Sequence, residues 1–220
     1  MTGFRGFADR SSAGRLLASR LSDYAGRQDV IVLALPRGGV PVAAEVAKAL
    51  RAPLDIFSVR KLGVPGHEEL AMGAIASDGA NALNYDVIGA IGISSEEIAR
   101  VVEREARELE RREAAYRGDR PRPLVEGKIL ILVDDGLATG ASMLVAVQTL
   151  RGRQPVRIVV AVPVGPADTC AMLRQYADEV VCFATPRRFG GVGAWYDDFS
   201  QVGDAEVQPL LDAGSGPAPT

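Results

Sequence analysis

Two adjacent aspartates, Asp134 and Asp135, stand out in this 220-residue chain because their types and spacing suggest chemistry. They follow the aliphatic run Ile129–Val133 and precede the small-residue segment Gly-Leu-Ala-Thr-Gly-Ala-Ser, which leads into apolar residues at helical spacing. Such a run predicts a buried strand, and open α/β sheets bind ligands beyond the carboxyl ends of their strands. Two carboxylates at that edge suit vicinal hydroxyls or a hydrated Mg²⁺.

The small residues after the aspartates predict a phosphate site. Gly140 and Ala141 allow backbone N–H groups to approach an anion at a helix N-terminus, where free donors and the helix dipole favour phosphate. Thr139 and Ser142 add hydroxyl donors. With the two carboxylates, the pattern predicts binding of a phosphorylated sugar. The alternative is an ordinary strand–turn–helix with an aspartate N-cap, but a single cap does not require all of these residues together.

A second loop, residues 35–41, also lies between an aliphatic run and a helical segment. Gly38 and Gly39 permit close backbone approach, and Arg37 supplies a forked donor for phosphate oxygens. A plain strand-to-helix turn explains this loop equally well when it is considered alone. Its position before the aspartate loop favours an anion site shared by the two loops.

Other candidate residues are less specific. Arg60 and Lys61 could reach the same anion from the next strand end, although surface charges are an equally good interpretation. His67, the only histidine, is expected to lie in an exposed glycine-rich loop rather than to act as a general acid. Cys170 and Cys182 are expected to be reduced core thiols, because their spacing fits neither a CxxC motif nor a secreted disulfide framework.

Aliphatic runs alternate with helical segments along the chain, which predicts an α/β fold with a parallel sheet covered on both faces. The predicted strands are 30–35, 129–133, 156–162 and 180–184, and the predicted helices are 42–50, 142–150 and 167–176. A further helix is predicted for 94–117, where a capping-box pattern opens a charged stretch with Glu and Arg at i,i+4 spacing. This helix is expected to be mostly solvated.

Composition excludes several classes of function. A formal charge of −3, from 25 basic and 28 acidic residues, provides no basic excess for nucleic acid. The single histidine and the absence of a GxSxG motif disfavour zinc proteases and serine hydrolases. The first residues lack the apolar core of a signal peptide, and no apolar stretch is long enough for a membrane span. We therefore expect a cytoplasmic protein without nucleic-acid or membrane partners.

Residues 133–142 resemble the phosphoribosyl pyrophosphate (PRPP) signature of the type I phosphoribosyltransferases. The resemblance implies that family's fold, a central mostly parallel sheet with helices on both faces and a small hood, and it implies Mg²⁺ as cofactor. Asp134, Asp135 and Arg37 would be catalytic: the aspartates would hold the ribose hydroxyls and, in part through water, Mg²⁺, and Arg37 would clamp pyrophosphate next to a cis Pro36–Arg37 bond. The residues assigned to PRPP are Arg37, Gly38, Gly39, Arg60, Lys61, Asp134, Asp135, Gly136, Ala138, Thr139, Gly140, Ala141 and Ser142.

A broader similarity, through residues 60–63, 68–76 and 195–199, is to a subgroup of predicted phosphoribosyltransferases whose substrate is not settled. It implies a hood over the acceptor, with Phe189, Trp195 and Tyr196 as a stacking platform; an aromatic plug for the sheet end is the equal alternative. We expect one domain over 1–212, with the hood from the termini, a long helical insertion at about 86–118, and a disordered tail at 213–220. The insertion lies where the family carries its mobile active-site loop.

The expected activity is transfer of a phosphoribosyl group from Mg-PRPP to a nitrogenous acceptor with release of pyrophosphate. A catalytically silent PRPP-sensing regulator is the alternative, and a PRPP synthase would need an ATP site that the sequence does not show. The hypoxanthine-guanine branch of the family carries an aspartate where this chain has Ala138, so efficient use of 6-oxopurines is not expected. The acceptor is otherwise unidentified, and assembly into a homo-oligomer stays open.

Overall fold

The fold is known from a computed structural model, which describes residues 5–76, 79, 81–118 and 120–214. The strands in these ranges are β1 Val30–Ala34, β2 Leu54–Ile56, β3 Val59–Val64, β4 His67–Ala76, β5 Asn81–Leu83, β6 Ile129–Val133, β7 Arg157–Val164 and β8 Glu179–Ala184. The α-helices are α1 Arg10–Ala18, α2 Gly39–Leu50, α3 Tyr85–Ile91, α4 Ser95–Arg117, α5 Ala141–Arg151, α6 Ala167–Leu173 and α7 Asp204–Gly214. Short 3₁₀ turns occur at Ser22–Tyr24 and Val192–Trp195.

Five strands form a parallel sheet in the order β2-β1-β6-β7-β8. Every residue of β1 and β6 is buried, because α1, α2 and α7 cover one face while α5 and α6 cover the other. A strand buried on both faces needs an unbroken aliphatic sequence, which is why these runs are visible in the sequence. The predicted α/β class and parallel sheet are confirmed, with element ends displaced by a few residues.

A second sheet, antiparallel and in the order β3-β4-β5, was not predicted. Its apolar residues Leu62, Met72 and Ile75 pack against α3 and α4. His67 is exposed, as expected, but it is the first residue of β4, so its placement in a loop was wrong. The strands escaped detection because β4 is interrupted by glycine and by a register shift opposite Gly63.

Helix α4 begins as predicted. The hydroxyl of Ser94 accepts the backbone N–H of Glu97, and the Glu97 carboxylate accepts the backbone N–H of Ser94 at 2.9 Å. The predicted ion pairs form at Glu103–Arg107 and Glu108–Arg112, whereas Arg100 donates to the backbone carbonyl of Glu96. The local signals for this helix therefore correspond to its geometry.

The expectation that α4 is mostly solvated was wrong for one face. The buried side chains on that face are Val101, Glu105, Leu109, Glu113, Tyr116 and Arg117. Arg117 donates to Glu113 at 2.8 Å and also pairs with Asp55 of β2. Because charges of this kind are buried only when paired, the pairs attach the end of α4 to the edge strand of the central sheet.

The N-terminal segment meets the segment that follows β8 beside that strand. The backbone N–H of Phe7 donates to the carbonyl of Trp195 at 2.8 Å, forming an isolated parallel bridge to Tyr196. Of the predicted tail at 213–220, residues 213 and 214 end α7, and 215–220 lie outside the described residues. In the described ranges, no helix combines the length and apolar character needed to cross a bilayer.

Candidate active site

The two predicted loops leave the same edge of the central sheet. β1 and β6 are parallel neighbours in register, with Ala34 beside Val133, so the residues that follow each strand lie side by side. The backbone N–H of Leu35 donates to the carbonyl of Val133 at 2.9 Å, which extends this pairing to the start of the loops. The topology therefore brings together residues about one hundred positions apart at the edge where α/β sheets bind ligands.

The aspartate pair occupies this edge. The Asp134 carboxylate accepts the backbone N–H of Asp135 at 2.8 Å, and the Asp135 carboxylate accepts Nε of Arg10 at 2.9 Å. Burial, followed by repulsion from Asp135, raises the pKa of Asp134 well above its usual value. Burial also raises the pKa of Asp135, and Arg10 opposes that rise. Both carboxylates would gain from a cation or from hydroxyl donors at this position.

The loop after β1 packs directly on the aspartates. A Cβ at Gly38 would lie 2.1 Å from Oδ2 of Asp135, so a side chain at this position would displace the carboxylate. The Pro36–Arg37 peptide bond is cis, as the sequence resemblance implied. Arg37 extends from this loop toward α7, where its Nη1 lies 3.5 Å from Oδ1 of Asp204.

The loop after β6 opens α5. Gly140 is the N-cap, with a left-handed φ of +75°, and a Cβ there would lie 2.7 Å from the Thr169 methyl of α6. Thr169 also donates to the carbonyl of Ala138 at 3.0 Å, so α6 packs against the loop and holds it in place. Thr139 and Ser142 are exposed beside the first turn of α5. The first N–H groups of a helix have no intrahelical acceptor, which makes this turn able to bind an anion.

A polar cavity of about 130 Å³ lies between the sheet edge and α4. Its lining includes the predicted residues Arg37, Arg60, Asp134 and Ser142, together with residues that sequence reasoning missed: Ser58, Leu109, Arg112 and Tyr116. Lys61 is exposed and is not among the lining residues, because successive side chains of a strand point to opposite faces. The Tyr116 hydroxyl donates to Asp204 at 2.7 Å; burial, then this hydrogen bond, raises the pKa of Tyr116 to about 12.

Of the three predicted hood residues, Tyr196 lies beside the aspartate pair. Tyr196 is buried between Phe7 and Phe199, and its hydroxyl donates to the backbone carbonyl of Asp135 at 2.6 Å. Trp195 donates from Nε1 to the carbonyl of Phe189 at 2.8 Å, and both of these rings are partly exposed. The Tyr196 ring therefore fills this end of the sheet, while Trp195 and Phe189 present aromatic surface.

Arg10 is a site residue that the sequence did not reveal. Its Cζ lies 4.0 Å from the Phe199 ring centroid, and Nη1 donates to the carbonyl of Ser200 at 2.8 Å. With Nε on Asp135, the side chain is only 11% exposed. It links the N-terminal helix, the hood and the aspartate pair. Arg10 lies in no motif and in none of the predicted elements, so the sequence carries no signal for this role.

An acidic pair and a small-residue helix start, facing a glycine-arginine loop across one sheet edge, define an α/β protein suited to a phosphorylated ligand. Residues 10–196 match the model of the family described as phosphoribosyl transferase domain. The chain belongs to this family, a pentosyltransferase class of enzymes, and its fold is the type I phosphoribosyltransferase fold.

Two curated relatives are from Mycobacterium tuberculosis. "Putative phosphoribosyl transferase MT0597" (strain CDC 1551 / Oshkosh) and "Putative phosphoribosyl transferase Rv0571c" (strain ATCC 25618 / H37Rv) are each 49% identical over 206 residues. The match covers 94% of this chain and 46% of each relative. The chain thus spans about half the length of these relatives.

Solved structures agree on the fold. The crystal structure of TT1426 from Thermus thermophilus has a TM-score of 0.84 at 40% identity, covering 96% of this chain and 100% of that one. The AQ2163 protein from Aquifex aeolicus has a TM-score of 0.53 at 12% identity, covering 94% of this chain and 86% of its own, which supports the fold alone.

Proposed function

We propose that the chain is a Mg²⁺-dependent phosphoribosyltransferase that takes the phosphoribosyl group from PRPP to a nitrogenous, base-like acceptor. The observation that carries this proposal is the contact between the two loops. Gly38 of one lies against the Asp135 carboxylate of the other, and Arg37 and Asp134 line one cavity. A sugar carrying phosphates at both ends needs such a pairing, because its hydroxyls must lie between two anion sites.

Each loop takes one part of PRPP in this proposal. The 5′-phosphate would bind Gly136 and residues 138–142 at the start of α5, where Thr139 and Ser142 are exposed and the first N–H groups of the helix have no intrahelical acceptor. The ribose hydroxyls would donate to Asp134 and Asp135. Pyrophosphate would lie against Arg37, the glycine loop and Arg60.

The reaction is a substitution at the anomeric carbon. The bond to the pyrophosphate oxygen breaks and its electron pair leaves with pyrophosphate, while the acceptor nitrogen forms the new bond and releases its proton to water. The chain would act mainly by holding both ends of PRPP and by stabilising the departing charge with arginine. Asp134 and Asp135 would orient the ribose, on which positive charge develops.

Mg²⁺ fits the donors at the sheet edge. Mg²⁺ is usually held by one or two carboxylates together with substrate phosphates and water, and the site offers two carboxylates whose pKa values are raised by burial. Asp134 and Asp135 would hold the ion, in part through water. When bound, the ion would neutralise part of the pyrophosphate charge.

The acceptor would approach from the hood side. Trp195 and Phe189 are partly exposed, and a hydrogen bond from the Trp195 ring nitrogen to the Phe189 backbone carbonyl holds the two residues together. Aromatic rings of this kind stack on planar bases. Tyr196 would support this surface through its hydrogen bond to the Asp135 backbone.

The test has two stages. Calorimetry with Mg-PRPP should show binding by the wild-type chain and by the control Asp212→Asn, which alters an exposed carboxylate of α7, but not by the double variant Asp134→Asn/Asp135→Asn. A panel of purine, pyrimidine and pyridine acceptors is then assayed for pyrophosphate release. Binding without release for any acceptor would favour a PRPP-sensing regulator, and unchanged affinity in the double variant would refute the site.

A further inference from the structure

Helix α4 forms the wall of the cavity that faces the sheet edge. Leu109, Arg112 and Tyr116, about one turn apart, line the cavity opposite Arg37 and Asp134. This spacing places the three side chains on one face of the helix. The insertion that contains α4 is therefore part of the site itself.

The wall is attached to the rest of the molecule at several points. Glu105 of α4 accepts Nε of Arg60 at 2.6 Å, and Tyr116 donates to Asp204 of α7. The buried Arg117 pairs with Asp55 of β2. With these contacts in place, α4 presents Arg112 to the cavity without a loop having to fold over it.

Guanidinium groups outnumber carboxylates among the residues that line the cavity. Three guanidinium groups line it, those of Arg37, Arg60 and Arg112, against the single carboxylate of Asp134. Their ion-pair partners are Asp204, Glu105 and Glu108, respectively, and none of these is among the lining residues. An anion entering the cavity would meet the arginines first, and multidentate arginine contacts suit phosphate oxygens.

Ser58 provides an independent sign of a ligand. Ser58 is one of the residues that line the same cavity and is 5% exposed, yet within the described part of the chain its buried hydroxyl oxygen has no hydrogen-bond partner. A buried hydroxyl without a partner is costly, and native structures rarely keep one without a reason. A phosphate oxygen in the cavity would satisfy this hydroxyl.

We propose that α4 supplies Arg112 as a ligand of the diphosphate group, with the Ser58 hydroxyl on the other side of the same anion. This inference rests on the proposed phosphoribosyltransferase function and adds residues to its pyrophosphate subsite. Arg112 lies 2.7 Å from Glu108, which also pairs with Arg111 at 2.9 Å. Glu108 therefore keeps a partner when Arg112 turns to the anion.

Arg111 provides a matched control. Arg111 and Arg112 are neighbours, both pair with Glu108 and both are largely exposed, at 67% and 47%, but only Arg112 lines the cavity. Arg112→Gln and Arg111→Gln thus remove the same charge from the same helix and the same ion-pair cluster. Thermal melts monitored by circular dichroism verify that both variants fold.

The probes are Mg-pyrophosphate and, separately, ribose 5-phosphate, each titrated by calorimetry. Arg112→Gln should weaken Mg-pyrophosphate binding by about 10-fold to 100-fold, which is the usual contribution of a charge-assisted hydrogen bond. The affinity for ribose 5-phosphate should change by no more than about twofold. Ser58→Ala should weaken pyrophosphate binding by about threefold to tenfold. Arg111→Gln should change neither affinity by more than about twofold.

The outcomes separate this inference from the function on which it rests. Equal pyrophosphate affinities for Arg112→Gln and Arg111→Gln would overturn the role of α4 while leaving the proposed transferase intact. An equal loss of affinity for Mg-pyrophosphate and for ribose 5-phosphate in Arg112→Gln would also overturn it, because Arg112 would then not act on the diphosphate group in particular. A wild-type chain that binds ribose 5-phosphate but neither Mg-pyrophosphate nor Mg-PRPP would refute the proposed function as well.

Discussion

Replacing Asp134 by asparagine should make the folded chain more stable and at the same time weaken its binding of PRPP. The carboxylate is held at the sheet edge against Asp135, and its pKa is raised well above the usual value by burial and by that neighbour. Asparagine has the same shape and keeps an oxygen for the backbone N–H of Asp135, which is bound at 2.8 Å. The substitution therefore removes a charge while the loop keeps its hydrogen bond.

The sign and size follow from linkage between protonation and folding. A raised pKa in the folded chain means that ionised Asp134 opposes folding. Each unit by which folding raises this pKa lowers the free energy of unfolding by about 1.4 kcal/mol once the carboxyl is ionised in both states. We expect a gain of at least about 1 kcal/mol in the free energy of unfolding at pH 7, or roughly 2–4 °C in Tm for a chain of this size. The gain should be absent below about pH 4, where the Asp134 carboxyl is protonated even in the unfolded chain, and it should grow as pH rises.

The assay is thermal unfolding of wild type and Asp134→Asn from pH 3 to pH 8, with Mg-PRPP calorimetry at pH 7.5. Asp29→Asn is the control: a hydrogen bond from Arg27 lowers the pKa of Asp29, so this substitution should leave Tm unchanged or slightly lower at pH 7. Affinity for PRPP should fall by at least about tenfold in Asp134→Asn alone. A lower Tm at pH 7, or unchanged PRPP affinity, would refute this account of the aspartate pair.

Three further predictions concern other parts of the site. Gly38→Ala should weaken PRPP binding at least about tenfold, because the new Cβ would lie 2.1 Å from a carboxylate oxygen of Asp135. The control Gly89→Ala, in helix α3 with no atom within 4 Å of the new Cβ, should leave PRPP affinity unchanged. Equal effects of the two substitutions would contradict the close packing of Gly38 on the aspartate. Burial opposes ionisation of Glu105, but hydrogen bonds from two arginines outweigh it and lower its pKa. Glu105→Gln should therefore lower the free energy of unfolding by about 1–2 kcal/mol at pH 7, with the difference shrinking as pH falls below about 4.5; a constant difference in pH-dependent melts would argue against it. Hypoxanthine and guanine should be poor acceptors, and Ala138→Asp should raise turnover with them by up to about 10²-fold to 10⁴-fold; a wild-type preference for these bases with no gain in the variant would show that this position does not control the acceptor.

Much of the fold and one half of the candidate site could be predicted from local sequence. The strand at Ile129–Val133, the aspartates after it and the helix start at Gly140 form one continuous segment. This segment could be predicted because burial of the strand and the free N–H groups at the start of the helix both depend on residues that are close in sequence. The capping box at Ser94 was predictable for the same reason.

Tertiary structure alone decided which distant residues complete the site. Arg10 pairs with Asp135 across 125 positions, and Arg112 reaches the cavity only because α4 packs on the second sheet. In the sequence, Arg112 is simply the partner of Glu108 in a charged helix. The local sequence pattern shows which secondary-structure element forms, whereas the face that this element buries depends on the elements that pack against it. For that reason the sequence by itself determined the aspartate pair, the small-residue loop after it and the parallel sheet, while Arg10 and Arg112 became visible as site residues only in the folded chain.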